Sequence, residues 1–146
     1  APVVKLLQTM FDDAAQVRAS DIHIEPQENR LMIRFRIDGL LHLQMEADNK
    51  ISPTLVLRLK LMSGLDISEK RLPQDGRFRV RVREQGVDAG EIERWIGIVE
   101  QRVRTRRTGS AWQCAFIERH GRDFQRMLAA YLEHQRSGAP VHEWPA

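Results

Sequence analysis

The stretch ASDIHIEPQENRLMIRFRIDG, Ala19–Gly39, carries the pattern that decides the fold. Ile22 and Ile24 alternate with Asp21, His23 and Glu25 before Pro26. Leu31, Ile33, Phe35 and Ile37 then alternate with Arg34, Arg36 and Asp38. A period of two sends successive side chains to opposite faces, so each run predicts a half-buried strand, with the polar loop Gln27–Asn29 between them. Asp38-Gly39 is a tight-turn dipeptide, and Leu40 to Met45 completes an antiparallel hairpin.

Toward the N-terminus, Val3, Val4, Leu7, Met10, Phe11, Ala14 and Ala15 follow the three-four spacing of an amphipathic helix, expected to end around Arg18 and Ala19. Toward the C-terminus, Ser52-Pro53 starts a second helix and Gly64 closes it. Its apolar stripe is Leu55, Val56, Leu59 and Met62, and Arg58 and Lys60 stand off that stripe. After a turn at Pro73-Gln74-Asp75-Gly76, the run RFRVRVR (77–83) puts Phe78, Val80 and Val82 on one face. Arg77, Arg79, Arg81 and Arg83 lie on the other.

Composition changes near Gln85 and Gly86. All four lysines (Lys5, Lys50, Lys60, Lys70) precede that point, whereas residues 87–146 hold nine arginines, no lysine and all three tryptophans, Trp95, Trp112 and Trp144. Ile92, Ile96, Val99 and Val103 form one helical stripe, Phe124, Leu128, Tyr131 and Leu132 another, and Gly109, Gly121 and Gly138 mark expected helix ends. The expected architecture is α+β, a small α-β-β-β-α-β sandwich over 1–85 followed by a helical tail over 86–146. Trp95, Trp112 and Phe116 in that tail need an apolar partner, for which the open side of the small sheet is nearest.

Charged residues are 29% of the chain, the formal net charge is +3, and no apolar run approaches the roughly 20 residues of a bilayer span. Neither disorder nor membrane insertion is expected. The start, APVVKLLQTM, has no export-signal pattern, which makes a cytoplasmic setting the expectation. Without a recognised motif or an aromatic-studded basic face, no nucleic-acid partner is inferred. The single cysteine, Cys114, excludes an internal disulfide and reads as a small buried hydrophobe.

No GxxxxGK[ST] phosphate loop occurs, so the chain holds no self-contained nucleotide site of that type and is expected to be no enzyme by itself. Asp21, His23 and Glu25 sit on one strand too far apart to close a tetrahedral metal shell unaided, so no metal site is expected. His120, His134 and His142 show no ligand spacing. Arg34, Arg36, Arg77, Arg79 and Arg81 can share one sheet face, which would serve either as bidentate donors to phosphate or carboxylate or as a solvated face paired with acids. Arg102, Arg104, Arg106 and Arg107 read as cations at a helix C-terminus.

The segments ASDIHIEP (19–26), RFRIDG (34–39) and LDISEKRLPQDGRF (65–78) together resemble the type II secretion and type IV pilus assembly ATPase family. The resemblance covers residues 1 to about 83 and places them in the family's second N-terminal domain, an α/β sandwich ahead of the nucleotide-binding core. It implies a hexamer in which this domain packs on a neighbouring subunit's ATPase core and its arginines reach the nucleotide's phosphates, with ATP and Mg belonging to the parent ATPase. On that resemblance Arg58, in VLRLKLM (56–62), is the first candidate for phosphate contact, followed by Arg36, Arg77 and Arg34. A guanidinium supplied from outside the phosphate loop would stabilise charge developing on the transferred phosphoryl group. His42 stands where the family often has arginine, and the ATPase core is absent.

Residues 86–144, through GVDAGEIERWIGIVEQRV (86–103), RTGSAWQ (107–113) and YLEHQRSGAPVHEW (131–144), resemble the C-terminal end of glutamate-cysteine-ligase-like carboxylate-amine ligases. Two such fragments in one chain suggest a recombined, designed or chimeric sequence, or a fusion through gene rearrangement. Three functions follow: a non-catalytic regulatory and assembly domain of a secretion or pilus ATPase, a stand-alone phosphate- or nucleotide-binding module, or a chimeric structural protein without activity. No cofactor is expected to bind autonomously, and a homo-oligomer is compatible with the unpartnered apolar stripes.

Overall fold

The computed structural model describes residues 2–69, 72–84, 91–104, 109–118, 125–130 and 133. Helix α1 spans Pro2–Gln16, strand β1 Asp21–Pro26, β2 Arg30–Ile37 and β3 Leu40–Asp48. A single 3-10 turn, Asn49–Ile51, leads into α2, Ser52–Ser63. Strands β4 Gln74–Arg83, β5 Glu91–Arg104 and β6 Gly109–Glu118 follow. The fold is α+β, with one six-stranded sheet in the order β3-β2-β1-β6-β5-β4 and every neighbouring pair antiparallel.

The reversals obey local stereochemistry. Asp38 and Gly39 have φ of 51° and 83°, the two positive values that a two-residue hairpin matched to strand twist requires. At the end of α1, Arg18 has φ 57°, and Ala19 N–H donates to the Ala14 carbonyl at 2.9 Å, which satisfies one of the helix's last acceptors. Pro53 opens α2, and Gly64 at φ 72° closes it.

Both helices pack on one face of the sheet. Leu7, Met10, Phe11, Ala14, Leu55 and Leu59 meet Ile22, Ile24, Ile33, Phe35, Phe78, Val82, Ile96, Ile98, Ala115 and Ile117 in one core. Phe11 and Phe78 make an edge-to-face pair with centroids 5.7 Å apart.

Three expectations are corrected. Pro73–Gly76 does not form the turn: Gln74, Asp75 and Gly76 already pair with Glu100, Val99 and Ile98 in β4. Gly76 is required there because a Cβ would lie 2.3 Å from the Ser63 carbonyl oxygen, where α2 crosses the strand. Lys60 does not stand off the helix stripe. It is buried, with Nζ 3.0 Å from Glu100 Oε1 of β5.

The largest correction concerns the tail: 91–104 and 109–118 are strands, not helix. The helical stripe skipped Ile98, which with Ile96 lines the core at period two. Gly97 and the β-branched residues disfavour helix, and the edges of β1 and β4 offer two unfilled backbone ladders. The composition boundary at 85/86 falls in the β4–β5 connection, and the strands on its two sides belong to the same sheet. Arg102 and Arg104 therefore end a strand rather than a helix, and Gly109 opens one. Residues 125–130 are helical, which includes Leu128 of the second stripe. Phe124, Tyr131, Leu132, Gly121, Gly138, Trp144, His120, His134, His142, Arg106 and Arg107 lie outside the described residues, and nothing is described of the Trp112 side chain.

Candidate functional site

Strand alternation sends Arg34 and Arg36 of β2, and Arg77, Arg79 and Arg81 of β4, to the sheet face opposite the helices. The arginines share a face but do not converge. β1, β6 and β5 lie between β2 and β4, a separation of about 19 Å at the usual spacing of ~4.8 Å per strand. Arg58 belongs to the helical layer on the other side.

Acids on the same face take up most of this charge. Arg36 is 8% exposed. Its Nε lies 3.4 Å from Asp21 Oδ2 and its guanidinium donates to the Gly39 carbonyl at 3.1 Å. Arg34 Nε is 3.5 Å from Glu25 Oε2. Arg77 donates to Glu118 Oε2 at 2.6 Å, and Arg79 lies 3.6 Å from Glu93. The guanidiniums of Arg77 and Arg79 also sit 4.7 and 4.9 Å from the Trp95 ring centroid, where the negative face of the indole attracts them.

Arg58 differs from these. It projects from α2 into solvent beside Leu57 and Leu61, which are 41% and 57% exposed. Among the described residues no carboxylate lies within ion-pair distance of it. His42, in the position noted for its departure from arginine, is exposed on β3 opposite Phe35.

Between the two groups of arginines, the sheet face holds a buried polar cluster. His23 Nε2 and Asp21 Oδ2 are 2.6 Å apart, and Ser20 Oγ donates to Asp21 Oδ1 at 2.5 Å. Cys114 of β6 lies directly opposite His23 in the β1–β6 register, fully buried. Burial above all, and then the Asp21 charge, push the Cys114 thiol well above its ordinary 9.0. The reading of Cys114 as a buried apolar filler matches its burial but misses this polar company. The alternation of Asp21, His23 and Glu25 opposite Arg34 and Arg36 was a legible sign of internal pairing. The approach of β6 was not.

Exposed cationic and apolar groups thus lie on the helical layer at Arg58, Leu57 and Leu61, whereas most of the sheet-face arginines are paired with acids. The family model "Type II/IV secretion system protein" matches residues 1–90, more than half of the chain. The chain belongs to that family. It is 50% identical over 82 residues to "Type IV pilus assembly ATPase PilB" of Myxococcus xanthus, covering 56% of this chain and 14% of that protein. It is 49% identical over 88 residues to "Type II secretion system ATPase E" of Vibrio cholerae, covering 60% of this chain and 18% of that one. This chain thus spans less than a fifth of the length of these relatives. The X-ray structure of the Legionella pneumophila ATPase DotB is similar in fold, with TM-score 0.50 at 14% identity over 80% of this chain and 29% of that chain. Among the described residues no helix is long and apolar enough to cross a membrane.

Proposed function

We propose that this chain is a non-catalytic regulatory and assembly domain of a cytoplasmic secretion or pilus motor. It docks on the ATPase core of a neighbouring subunit within a homo-oligomer and presents Arg58 to the phosphates of the ATP–Mg held there. The observation that carries this reading is the contrast among the candidate arginines. Arg34, Arg36 and Arg77 are committed to Glu25, Asp21 and Glu118, whereas Arg58 is exposed and flanked by exposed Leu57 and Leu61. A guanidinium already paired with a carboxylate must break that pair to bind phosphate, and an unpaired one on an apolar rim need not. The same pairing argues against autonomous nucleotide binding on the sheet face, and the absent phosphate loop argues against turnover.

The composition break at 85/86 and the end of the family match at residue 90 support a separate origin for the rest of the chain, a chimera in which β5 and β6 complete the sheet. The ligase resemblance of residues 86–144 contributes no active residue to this reading.

The test is complementation in trans. The ATPase core of a related type II secretion motor, stripped of its own equivalent domain, is mixed with this chain and phosphate release is followed. Wild type should stimulate hydrolysis, and Arg58→Ala should lose at least about ten-fold of that stimulation, a conservative share of what an arginine supplied in trans contributes. Equal stimulation by wild type and Arg58→Ala would remove Arg58 from the proposal. No stimulation by wild type would remove the assembly role.

A further inference from the structure

The Asp21–His23–Cys114 cluster has the composition and closeness of a metal site. One ligand atom from each residue lies within 4.8 Å of the other two, and all three residues are fully buried. Asp21 and His23 sit two apart on β1, so they share a face, and the β1–β6 register sets Cys114 directly across from His23. A single strand cannot close a tetrahedral shell with its own alternate residues. A cysteine from the adjacent strand supplies a third donor.

We propose that Asp21, His23 and Cys114 form a buried structural site for a zinc-class divalent ion. Thiolate, imidazole and carboxylate together suit zinc, whose bonds of about 2.0–2.3 Å set tetrahedral donors roughly 3.3–3.7 Å apart. Ligation therefore opens the 2.6 Å contact between Asp21 and His23 while drawing in donors that now stand up to 4.8 Å apart. The surroundings supply the supporting contacts such a site uses. Ser20 Oγ holds Asp21 Oδ1 at 2.5 Å, and Arg36 Nε approaches the other oxygen at 3.4 Å, which orients the carboxylate. Glu25 follows on the same face, with Oε1 buried and lacking a hydrogen-bond partner among the described residues, and is the nearest side chain in sequence able to offer a fourth donor. On binding, the Cys114 thiol gives its proton to solvent and His23 coordinates as the neutral imidazole. Ligation creates one new negative charge, the Cys114 thiolate; with the Asp21 carboxylate it matches the ion's two positive charges, and Arg36 remains as the outer cation. The ion would tie β1 to β6, the seam where the family-like half meets the rest of the chain.

Because the cluster is closed to solvent, the experiment loads metal during folding. The full 146-residue chain is unfolded under reducing conditions, refolded with zinc or with chelator, dialysed, and assayed for bound zinc per chain and for thermal midpoint. Cobalt refolding adds a readout, since a cobalt–thiolate bond gives a charge-transfer absorption. The expected result is one zinc per chain in wild type, a higher midpoint with zinc than without, and a cobalt–thiolate band. Both the stoichiometric zinc and the band should be lost in Cys114→Ala, a small change that the buried site tolerates. Ser20→Ala, which keeps every donor, should weaken zinc binding by roughly 10–100-fold. Zinc absent from wild type, or retained equally in Cys114→Ala, would overturn the proposal. A midpoint in Cys114→Ala that still rises with zinc would do the same.

Discussion

Breaking the ion pair between Lys60 and Glu100 tests the least anticipated part of the architecture, the docking of β5 beneath α2. Lys60 Nζ lies 3.0 Å from Glu100 Oε1 and donates to the Glu69 carbonyl at 3.2 Å; the two side chains are 5% and 0% exposed. Solvent screening is therefore small. Removing one member leaves the other charge buried and uncompensated, which costs about 3–5 kcal/mol. For a chain of this size each kcal/mol moves the thermal midpoint by about 3 °C, so Glu100→Gln should lower it by roughly 10–15 °C. Replacing both partners, Lys60→Met with Glu100→Leu, removes the charges and keeps the volume, and should recover most of that loss. The assay is thermal unfolding followed by circular dichroism, with urea unfolding as a second measure and the pair analysed as a double-mutant cycle. A Glu100→Gln midpoint within about 2 °C of wild type would refute the reasoning, since an exposed glutamate on a tail helix would give that small effect.

Two further outcomes follow from particular contacts. Gly76→Ala should destabilise the protein by about 1–3 kcal/mol in urea unfolding, because the new methyl meets the Ser63 backbone oxygen, which cannot swing aside as a side chain would. The Asp66 carboxylate accepts from the Ser68 hydroxyl at 2.6 Å and its amide at 2.9 Å, which hold its pKa below the ordinary 3.8. A lowered pKa stabilises the folded state above the unfolded value, and that stabilisation is lost as pH falls through the folded value. Ser68→Ala should therefore raise the Asp66 pKa, read by an NMR titration of its carboxyl carbon, and an unchanged pKa would show that the hydroxyl is not the main cause.

The site was legible in part for the same reason that strands are legible. Alternation in Ala19–Gly39 and in 77–83 announced which arginines share a face. It could not announce that β2 and β4 are separated by three strands, since sheet order depends on pairings remote in sequence. Lys60 was misplaced because its partner, Glu100, is 40 positions away and on a segment read as helix. Arg58 was placed correctly off the apolar stripe, as its position in α2 depends only on the helix's own period.

By itself the sequence determined what local stereochemistry controls: α1 and α2, the hairpin turn at Asp38-Gly39, the αL closure at Gly64, and the core faces of β1, β2 and β4. Tertiary structure alone decided the state of 91–104 and 109–118, whose apolar residues satisfy two periodicities. Free backbone ladders on β1 and β4 resolved that ambiguity in favour of strand, because unpaired N–H and C=O groups beside a buried core are costlier than a marginal helix is stabilising. The same pairing carried Cys114 to His23 and Glu118 to Arg77, contacts that exist only once β6 has entered the sheet.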